Sequence, residues 1–390
     1  MKAIINTKLV MEDGIVWDGA VTYENGRILQ AGPADTISIP AGAECIDAGG
    51  LYTAPGLIDI HNHGTADDLF CDEPEKCAEY FILHGQTTVL PTFYQDLSLE
   101  QMLEGAEKIR KASQIGAGKI MDGLYMEGPY MNGSGSNSKN LKWGGQICRA
   151  EYLCLLDELG DQVRVWSIDP ARPGIEEFMQ DVKTRYPQAI FALGHSRATM
   201  EQCRNVRHYG VKVQTHHTNS GKPVGRCQGS IGAGCDDFTL YEPDMYAELI
   251  CDQTGVHVEP DRIKTIVRAK GVERIILITD SMASKERFPN NQEAGIWYGP
   301  DLNYDYQGYL CGSRMTLENA CRNMMTHTGY GLCHAIRMAT LNPARMLGID
   351  REVGSIAPGK RANLILIDDT VRVRQVILEG DLMVRDGKLI

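Results

Sequence analysis

Eight short apolar runs, separated by amphipathic segments, constrain the fold of this chain more than any other feature. Two of the intervening segments, 99–112 and 260–270, have the apolar spacing of amphipathic helices. Strand-like runs that alternate with helices predict an α/β fold, a (β/α)₈ barrel of the TIM type. The runs are 56–61, 87–92, 120–127, 163–169, 189–195, 211–216, 247–252 and 274–280.

The two ends of the chain have a different pattern, in which short β-like segments are separated by tight turns. Asp13-Gly14 and Asn25-Gly26 are dipeptides favoured in hairpins. Chain termini often lie close together, so the two ends can pair. We therefore predict a discontinuous small β-sheet domain from residues 1–54 and 350–390, attached to a barrel domain of residues 55–349.

Composition excludes several classes of protein. The net charge of −12 disfavours a nucleic-acid binder. No apolar stretch approaches the roughly 20 residues of a membrane helix, and we expect no membrane partner. The first residues do not form a signal peptide, and the 12 cysteines are scattered without a Cys-x-x-Cys pair. We therefore predict a cytoplasmic protein with reduced thiols.

The strongest local signal is the segment His61-Asn-His63-Gly64, at the end of the first run. Residues i and i+2 of a strand share a face, so His61 and His63 can present their imidazoles to one metal ion. Gly64 allows a sharp turn or a close backbone approach. Taken alone, two structural histidines explain this segment equally well.

Other strand ends carry similar chemistry. Glu127 precedes Gly-Pro, His195 and His216 end two further runs, and Asp280 ends the last. Barrel active sites lie where the strands end in loops at the C-terminal face. Nitrogen and oxygen ligands without cysteine suit zinc, iron, manganese or nickel ions. The sequence therefore predicts a catalytic metal site at this rim.

Motifs spread along the chain carry a family likeness. They are Pro55-Gly-Leu-Ile-Asp-Ile-His-Asn-His-Gly64, Met126-Glu-Gly-Pro129, Gly194-His-Ser196, Thr215-His-His-Thr-Asn219, Gly255-Val-His257, Ile278-Thr-Asp280, Leu310-Cys-Gly-Ser313, Met338-Ala-Thr-Leu-Asn-Pro-Ala-Arg345 and Gly354-Ser-Ile-Ala-Pro-Gly-Lys-Arg-Ala-Asn-Leu364. With these motifs the chain resembles the amidohydrolase superfamily and, within it, the N-acetylglucosamine-6-phosphate deacetylase branch. The resemblance implies a metal-dependent barrel with a small β-sandwich made from both termini. It also implies a hydrolase that removes the acetyl group of an N-acetylated amino sugar, N-acetylglucosamine 6-phosphate above all.

The resemblance also implies roles for individual residues. Glu127, His195 and His216 match the main metal ligands, and His61 and His63 match a second metal position. We therefore expect one or two divalent ions for each subunit, with zinc as the first choice. Asp280 matches the catalytic residue, which accepts a proton from water and later protonates the departing amine.

The substrate contacts implied by the resemblance lie on several loops. His257 matches a histidine that faces the substrate carbonyl or a sugar hydroxyl, and Asn219, Ser220 and Leu310 match further contacts. Arg226 matches an arginine that reaches a phosphate in the neighbouring subunit of a homodimer. A planar guanidinium suits phosphate because it forms paired charge-assisted hydrogen bonds.

The sequence departs from the family pattern in two places. Residues 133–145 are rich in glycine and serine and lack the usual histidine, so Lys139 or Lys142 could supply a substitute anion contact. The usual small apolar residues after His216 are replaced in 217–222. Two alternatives therefore stay open: an amidohydrolase for another N-acyl or cyclic amide, and an inactive ligand-binding barrel. Asp280 argues against the inactive barrel, because ligand binding needs no proton shuttle.

Overall fold

The computed structural model of the protein covers most of the chain. Of residues 225–227 it describes the backbone alone. The described residues are 1–132, 142–219, 224–227, 230–283, 299–305 and 308–390.

The described residues form a set of β-strands and α-helices that alternate through the middle of the chain. The strands are β1 (Lys2–Val10), β2 (Ile15–Glu24), β3 (Arg27–Pro33), β4 (Glu44–Asp47), β5 (Tyr52–Pro55), β6 (Leu57–Asn62), β7 (Gln86–Tyr94), β8 (Leu124–Glu127), β9 (Val163–Ile168), β10 (Ile190–Leu193), β11 (Val211–Gln214), β12 (Val224–Cys227), β13 (Ser230–Gly232), β14 (Tyr246–Ile250), β15 (Ile275–Ile278), β16 (Leu302–Tyr304), β17 (Leu310–Ser313), β18 (Leu364–Ile367), β19 (Val373–Leu378), β20 (Asp381–Arg385) and β21 (Lys388–Leu389). The helices are α1 (Pro74–Leu83), α2 (Leu99–Ala112), α3 (Arg149–Leu159), α4 (Ile175–Arg185), α5 (Met200–Val206), α6 (Cys235–Tyr241), α7 (Pro260–Lys270), α8 (Leu317–Thr328), α9 (Leu332–Met338) and α10 (Leu341–Leu347).

Eight parallel strands form a barrel. In the sheet they follow chain order, from β6 through β7, β8, β9, β10, β11 and β14 to β15. The edge strands β6 and β15 meet at the rim, where the Asp280 N–H donates to the His61 carbonyl over 2.9 Å. Strands such as β6 and β15 are buried throughout, as expected for parallel strands covered by helices. Each predicted run overlaps one of these strands, and the predicted barrel is confirmed.

The helices that cover the barrel begin at recognisable sequence signals. Helix α2 starts after Ser98, whose hydroxyl accepts a hydrogen bond from the Gln101 N–H over 3.2 Å. In return, the Gln101 side chain accepts one from the Ser98 N–H over 2.9 Å, which completes a capping box. Helix α7 has Pro260 in its first turn, where the missing N–H costs nothing. Both helices have the bounds that the apolar spacing predicted.

One barrel strand begins later than the sequence predicted. The apolar run starts at residue 120, but β8 starts at Leu124, because Gly116–Ile120 forms a short 3₁₀ helix. Gly123 then turns the chain with a φ of 108°, and a Cβ there would lie 2.6 Å from the Gln162 carbonyl oxygen. The apolar pattern alone does not show this turn.

The two ends of the chain form one nine-stranded sheet. Its order is β21-β20-β19-β18-β5-β1-β2-β3, with β4 beside β1. The two termini join where β5 pairs antiparallel with β18, and Ala54 faces Ile365 there. Strands from both termini share a hydrophobic cluster that includes Ile4, Leu9, Val21, Tyr23, Leu364, Leu366 and Ile377. This confirms the small β domain built from both termini, while its bounds at 54 and 350 stay predictions.

The hairpin signals of the N-terminal segment are also confirmed. Asn25 and Gly26 connect β2 to β3 with φ values of 50° and 75°. A type I′ turn needs positive φ at both central residues, which Asn-Gly tolerates best. No helix among the described residues combines the length and the apolar character needed to cross a membrane.

Candidate metal centre

Six side chains singled out in the sequence lie together at one rim of the barrel. Each stands at the carboxyl end of a barrel strand or one or two residues beyond it, and these ends of parallel strands face the same side. All six are buried, with exposed fractions of 8% or less. They are His61 and His63 of the first strand, Glu127 of the third, His195 and His216 of the fifth and sixth, and Asp280 of the eighth.

One group of potential ligands joins Glu127 to the fifth and sixth barrel strands. The Oε1 atom of Glu127 lies 2.8 Å from His195 Nε2 and 2.8 Å from His216 Nε2. The ligand atoms of these three residues lie within 4.8 Å of one another. We call Glu127, His195 and His216 the far triad, because they come from three separate strands.

A second group joins the same glutamate to the first barrel strand. The Oε2 atom of Glu127 lies 3.2 Å from His63 Nε2 and 3.7 Å from His61 Nε2. The ligand atoms of His61, His63 and Glu127 again lie within 4.8 Å of one another. This group is called the near triad. The two oxygens of Glu127 are thus divided between two triads.

Asp280 lies beside the near triad. Its Oδ1 atom is 3.2 Å from His63 Nε2 and 3.5 Å from His61 Nε2. The backbone of Asp280 is held on both sides, because its N–H donates to His61 and its carbonyl accepts from the Ser313 N–H over 2.7 Å. The carboxylate is therefore fixed next to the histidines that it contacts.

Three of the rim residues have an unusual backbone conformation. The φ values are 44° at His195, 26° at His216 and 47° at Asp280. Positive φ is uncommon outside glycine and is often found at functional sites, where the surrounding structure enforces it. In each case the sharp turn comes two residues after a buried strand ends, at the residue whose side chain joins the rim cluster.

Two glycines allow the chain to pass close to its neighbours. A Cβ on Gly64 would lie 2.1 Å from the Asp68 carbonyl oxygen, and one on Gly194 would lie 2.1 Å from Ser167 Oγ. Gly64 follows His63 and Gly194 precedes His195, so each glycine sets the path of the chain at a rim histidine. At Gly64 the close approach is to the Asp68 backbone rather than to the rim side chains.

The electrostatics of the rim are dominated by carboxylates and imidazoles. Burial alone lowers the pKa of an imidazole, yet contacts with Asp280 and Glu127 raise the pKa of His63 to about 9. The same balance raises the pKa of His61, whereas burial prevails at His195 and lowers its pKa. Burial works to raise the pKa of Glu127, but its histidine neighbours hold that pKa well below the ordinary value.

This set of residues fits a divalent metal ion. Imidazole nitrogens and carboxylate oxygens are ligands for such ions. The Nε2 atom of His61 is buried and has no hydrogen-bond partner among the residues that the structure describes. In the same residues, Glu127 and Asp280 form ion pairs with histidines and with no lysine or arginine. The rim therefore has ligands and negative charge suited to a cation.

The outer nitrogens of the near-triad histidines are also held. His63 Nδ1 lies 3.0 Å from the Thr92 carbonyl oxygen, and His61 Nδ1 lies 3.2 Å from Glu248 Oε2. Such partners fix the tautomer and orientation of a ligand histidine. Asp59 accepts hydrogen bonds from Thr279 Oγ1 over 2.6 Å, which ties the first strand to the eighth.

The sequence patterns led to no predicted role for Glu248 or Asp59. A signal existed for both, because each is a carboxylate inside an apolar run that was otherwise assigned to a buried strand. His217, by contrast, points to Gln214, whose Oε1 lies 2.6 Å from its Nδ1, and burial lowers its pKa to about 4. Of the two adjacent histidines, His216 is the one in the cluster.

The predicted substrate residues are brought together in part. Asn219 donates to the His257 carbonyl over 3.1 Å. His257 Nδ1 lies 3.2 Å from Asp252 Oδ2, and its Nε2 lies 3.1 Å from the Gly312 carbonyl oxygen. Leu310 is half-buried at the start of β17, the strand that contains Gly312. Asp252 was missed as a partner of His257.

Several predicted residues lie outside the part of the chain that the structure describes. Ser220 and Lys139 are not among the described residues, and the side chain of Arg226 is not described. Most of the glycine- and serine-rich segment falls there too. Lys142 is described, and its Nζ donates to Gln101 Oε1 over 3.1 Å on the surface.

The fold and the rim agree with the family signal. The profile of the amidohydrolase family matches residues 52–383, a range that includes every barrel strand and all six rim side chains. The chain belongs to the amidohydrolase family. The family and the cluster of histidines and glutamate suit a divalent metal site.

Individual relatives show which enzymes of this family are similar to the chain. The chain is 30% identical to N-acetylgalactosamine-6-phosphate deacetylase of Escherichia coli O157:H7, over 96% of this chain and 97% of that one. It is 28% identical to N-acetylglucosamine-6-phosphate deacetylase of Haemophilus influenzae, over 97% and 98%. The crystal structure of N-acetylglucosamine-6-phosphate deacetylase from Pasteurella multocida superposes with a TM-score of 0.83 at 23% identity, over 98% and 99%. The resemblance read from the motifs is thereby confirmed.

Proposed function

We propose that this amidohydrolase removes the acetyl group from a 6-phosphorylated N-acetylated amino sugar, N-acetylglucosamine 6-phosphate in the first place. The products are the free amino sugar phosphate and acetate. The observation that carries the proposal is the convergence of two triads on Glu127 with Asp280 beside them. The relatives that match over the full chain support the substrate class.

The proposal assigns metal ions to the two triads. Glu127, His195 and His216 hold one ion, and His61, His63 and Glu127 hold a second, with zinc proposed ahead of iron, manganese or nickel. A divalent ion bound there lowers the pKa of a water molecule and polarises the amide carbonyl. The all-nitrogen-and-oxygen ligand set supports this choice of metals.

The chain itself contributes the proton transfers. Asp280 is the proposed general base, because its carboxylate lies 3.2 Å from His63 Nε2 and its backbone is fixed by Ser313 and His61. Its Oδ atoms take the proton from the attacking water and later deliver one to the nitrogen of the departing amine. An amine is too basic to leave as an anion, so this second transfer is required.

Substrate contacts are proposed for the loops beyond the rim. His257, oriented by Asp252, faces the substrate carbonyl or a sugar hydroxyl, and Asn219 next to it donates to the substrate. Ser220 and Leu310 are proposed as further contacts on the strength of the family resemblance.

The proposal extends to the assembly. Arg226 reaches the phosphate bound in the neighbouring subunit of a homodimer, an assignment that rests on the family resemblance. The enzyme is proposed to act in the cytoplasm. The cysteines that the structure describes form no disulfide, which supports a reducing compartment.

A second candidate substrate is the 4-epimer, N-acetylgalactosamine 6-phosphate. The specific observation in its favour is the full-length relative from Escherichia coli O157:H7, which carries that name at 30% identity. Both substrates offer the same acetamido and phosphate groups, so the chemistry at the rim is unchanged.

The test is an assay for released amine with fluorescamine on the zinc-loaded protein. The substrates are the N-acetyl derivatives of glucosamine and galactosamine, each with and without the 6-phosphate. We expect turnover of at least one phosphorylated sugar and a much higher KM for its unphosphorylated form. Metal-loaded protein that releases no amine from any of the four would refute the proposal and favour another N-acyl or cyclic amide.

A further inference from the structure

We infer that Glu248 is a positioning residue of the metal centre, which orients His61 in the near triad and anchors the backbone of His216 in the far triad. The inference rests on the proposed metal-dependent function. It concerns a residue on β14, the seventh barrel strand, which supplies neither of the two triads with a ligand.

One carboxylate oxygen of Glu248 serves both triads. Its Oε2 atom lies 3.2 Å from His61 Nδ1 and accepts a hydrogen bond from the His216 N–H over 3.1 Å. The Glu248 carbonyl also accepts from the His217 N–H over 2.8 Å. Glu248 therefore holds the segment that follows β11, where His216 has its unusual φ of 26°.

The contact at His61 decides which nitrogen faces the metal site. An acceptor at Nδ1 keeps the proton on that nitrogen, so the lone pair of Nε2 is directed at the site. The Nε2 atom of His61 indeed lies on the side of Glu127 and Asp280, 3.7 and 3.5 Å from their oxygens. The ring is further held against Tyr125, with centroids 4.7 Å apart.

The two histidines of the near triad are held by different kinds of acceptor. His63 Nδ1 contacts the neutral Thr92 carbonyl, whereas His61 Nδ1 contacts a carboxylate. A carboxylate partner makes a ligand imidazole a stronger donor to the metal. We therefore infer that Glu248, through His61, strengthens the binding of the ion in the near triad.

A role in core packing alone does not account for the environment of Glu248. The side chain is fully buried, and among the described residues its ion pair is with His61 and with no lysine or arginine. A buried carboxylate is costly unless it is paired and hydrogen-bonded. A glutamine or a hydrophobic residue would fill the same space at lower cost, so the charge itself is the feature that needs a reason.

The experiment measures zinc binding to the full-length protein rather than turnover. Metal-free wild type and Glu248→Gln are titrated with zinc against a chelator of known affinity, and the bound zinc is counted by mass spectrometry. We expect two ions in the wild type. In Glu248→Gln the amide oxygen can still accept from the His216 N–H, so we expect the ion of the far triad to bind as before. The ion of the near triad loses the carboxylate partner of His61 and should bind about 10–100-fold more weakly.

A matched control uses the same substitution at another carboxylate–histidine pair, which is partly buried. Glu318 lies 2.9 Å from His84 Nδ1 and contacts no rim residue in the part of the chain described. Glu318→Gln should leave both zinc affinities unchanged. Thermal unfolding of the metal-free proteins shows whether either substitution acts through overall stability instead of through the metal.

Each remaining outcome decides the question. Unchanged zinc binding in Glu248→Gln, or an equal loss of both ions, would overturn the inference and leave the deacetylase proposal intact. A wild type that binds one ion would overturn the inference and the proposed second ion, and leave the proposed deacetylation intact. A wild type that binds no metal would overturn the proposed function itself. If Glu248→Gln does not fold, Glu248→Asp is measured, since its shorter carboxylate cannot keep the 3.2 Å contact; wild-type affinity there would also overturn the inference.

Discussion

The two triads of the metal centre share Glu127 but are built by different means. In the near triad, His61 and His63 come from one strand, and their spacing alone brings both imidazoles to one face. In the far triad, His195 and His216 come from neighbouring strands and depend on sharp turns with positive φ. The spacing of His61 and His63 is specified locally, whereas His195 and His216 meet only once β10 and β11 have paired. The two sites should therefore respond differently to substitution.

The largest effect is expected where the two triads overlap. Glu127→Ala removes one oxygen from each triad, so we expect the loss of both ions and of all measurable activity. Metal analysis of the dialysed protein checks this. A Glu127→Ala protein that still binds both ions would exclude Glu127 as a ligand, and the two triads would then share no residue.

Substitution of one histidine from each triad should separate the two ions. We expect His195→Gln to lose the ion of the far triad and His61→Gln that of the near triad, each leaving one zinc for each subunit. Loss of a hydrogen-bond partner of a ligand lowers metal affinity about 10–100-fold. Loss of a direct ligand should lower the affinity for the affected ion by more than that. Zinc titration of both variants is the measurement, and identical behaviour of the two would show that the triads are a single site.

Substitution of Asp280, in contrast, should leave both ions bound. Asp280→Asn keeps the size of the side chain but removes the proton acceptor, so we expect full metal content and turnover at least about a hundredfold lower. Turnover is followed with the amine assay and metal content by mass spectrometry. Near-normal turnover would remove the proposed base role of Asp280, and loss of one ion would make it a ligand instead.

The difference between the triads also explains what the sequence could predict. The barrel was predictable because each strand is an apolar run long enough to recognise, and the small domain because Asn25-Gly26 and similar turns mark its hairpins. The start of β8 was not, since the turn at Gly123 depends on contact with Gln162 from a distant segment. The far-triad residues were found through strand ends and family motifs, not through spacing.

The residues that support the ligands were harder to find. Glu248 and Asp59 sit inside apolar runs, where one carboxylate among hydrophobic residues reads as an irregularity of the pattern. Their partners lie far away along the chain: Glu248 contacts His61, and Asp59 contacts Thr279. No local pattern specifies such a pairing, because it is created when the first barrel strand meets the last two.

The smallest effect is expected at the two glycines that shape the chain at the triads. A Cβ on Gly64 meets the Asp68 backbone, which cannot move without changing the turn after His63. A Cβ on Gly194 meets the hydroxyls of both Ser167 and Thr215, which can rotate away at the cost of the 2.8 Å hydrogen bond between them. We expect Gly64→Ala to lower the free energy of unfolding of the metal-free protein by about 1–3 kcal/mol.

Gly194→Ala should cost less, about 1 kcal/mol for the lost hydrogen bond. Gly42→Ala is the matched control, because its φ is not positive and nothing lies within 4 Å of a Cβ built there. Thermal and urea unfolding followed by circular dichroism ranks the three variants. If Gly64→Ala proves as stable as Gly42→Ala, the turn after His63 is pliable, and the near triad is then not the locally fixed half of the centre.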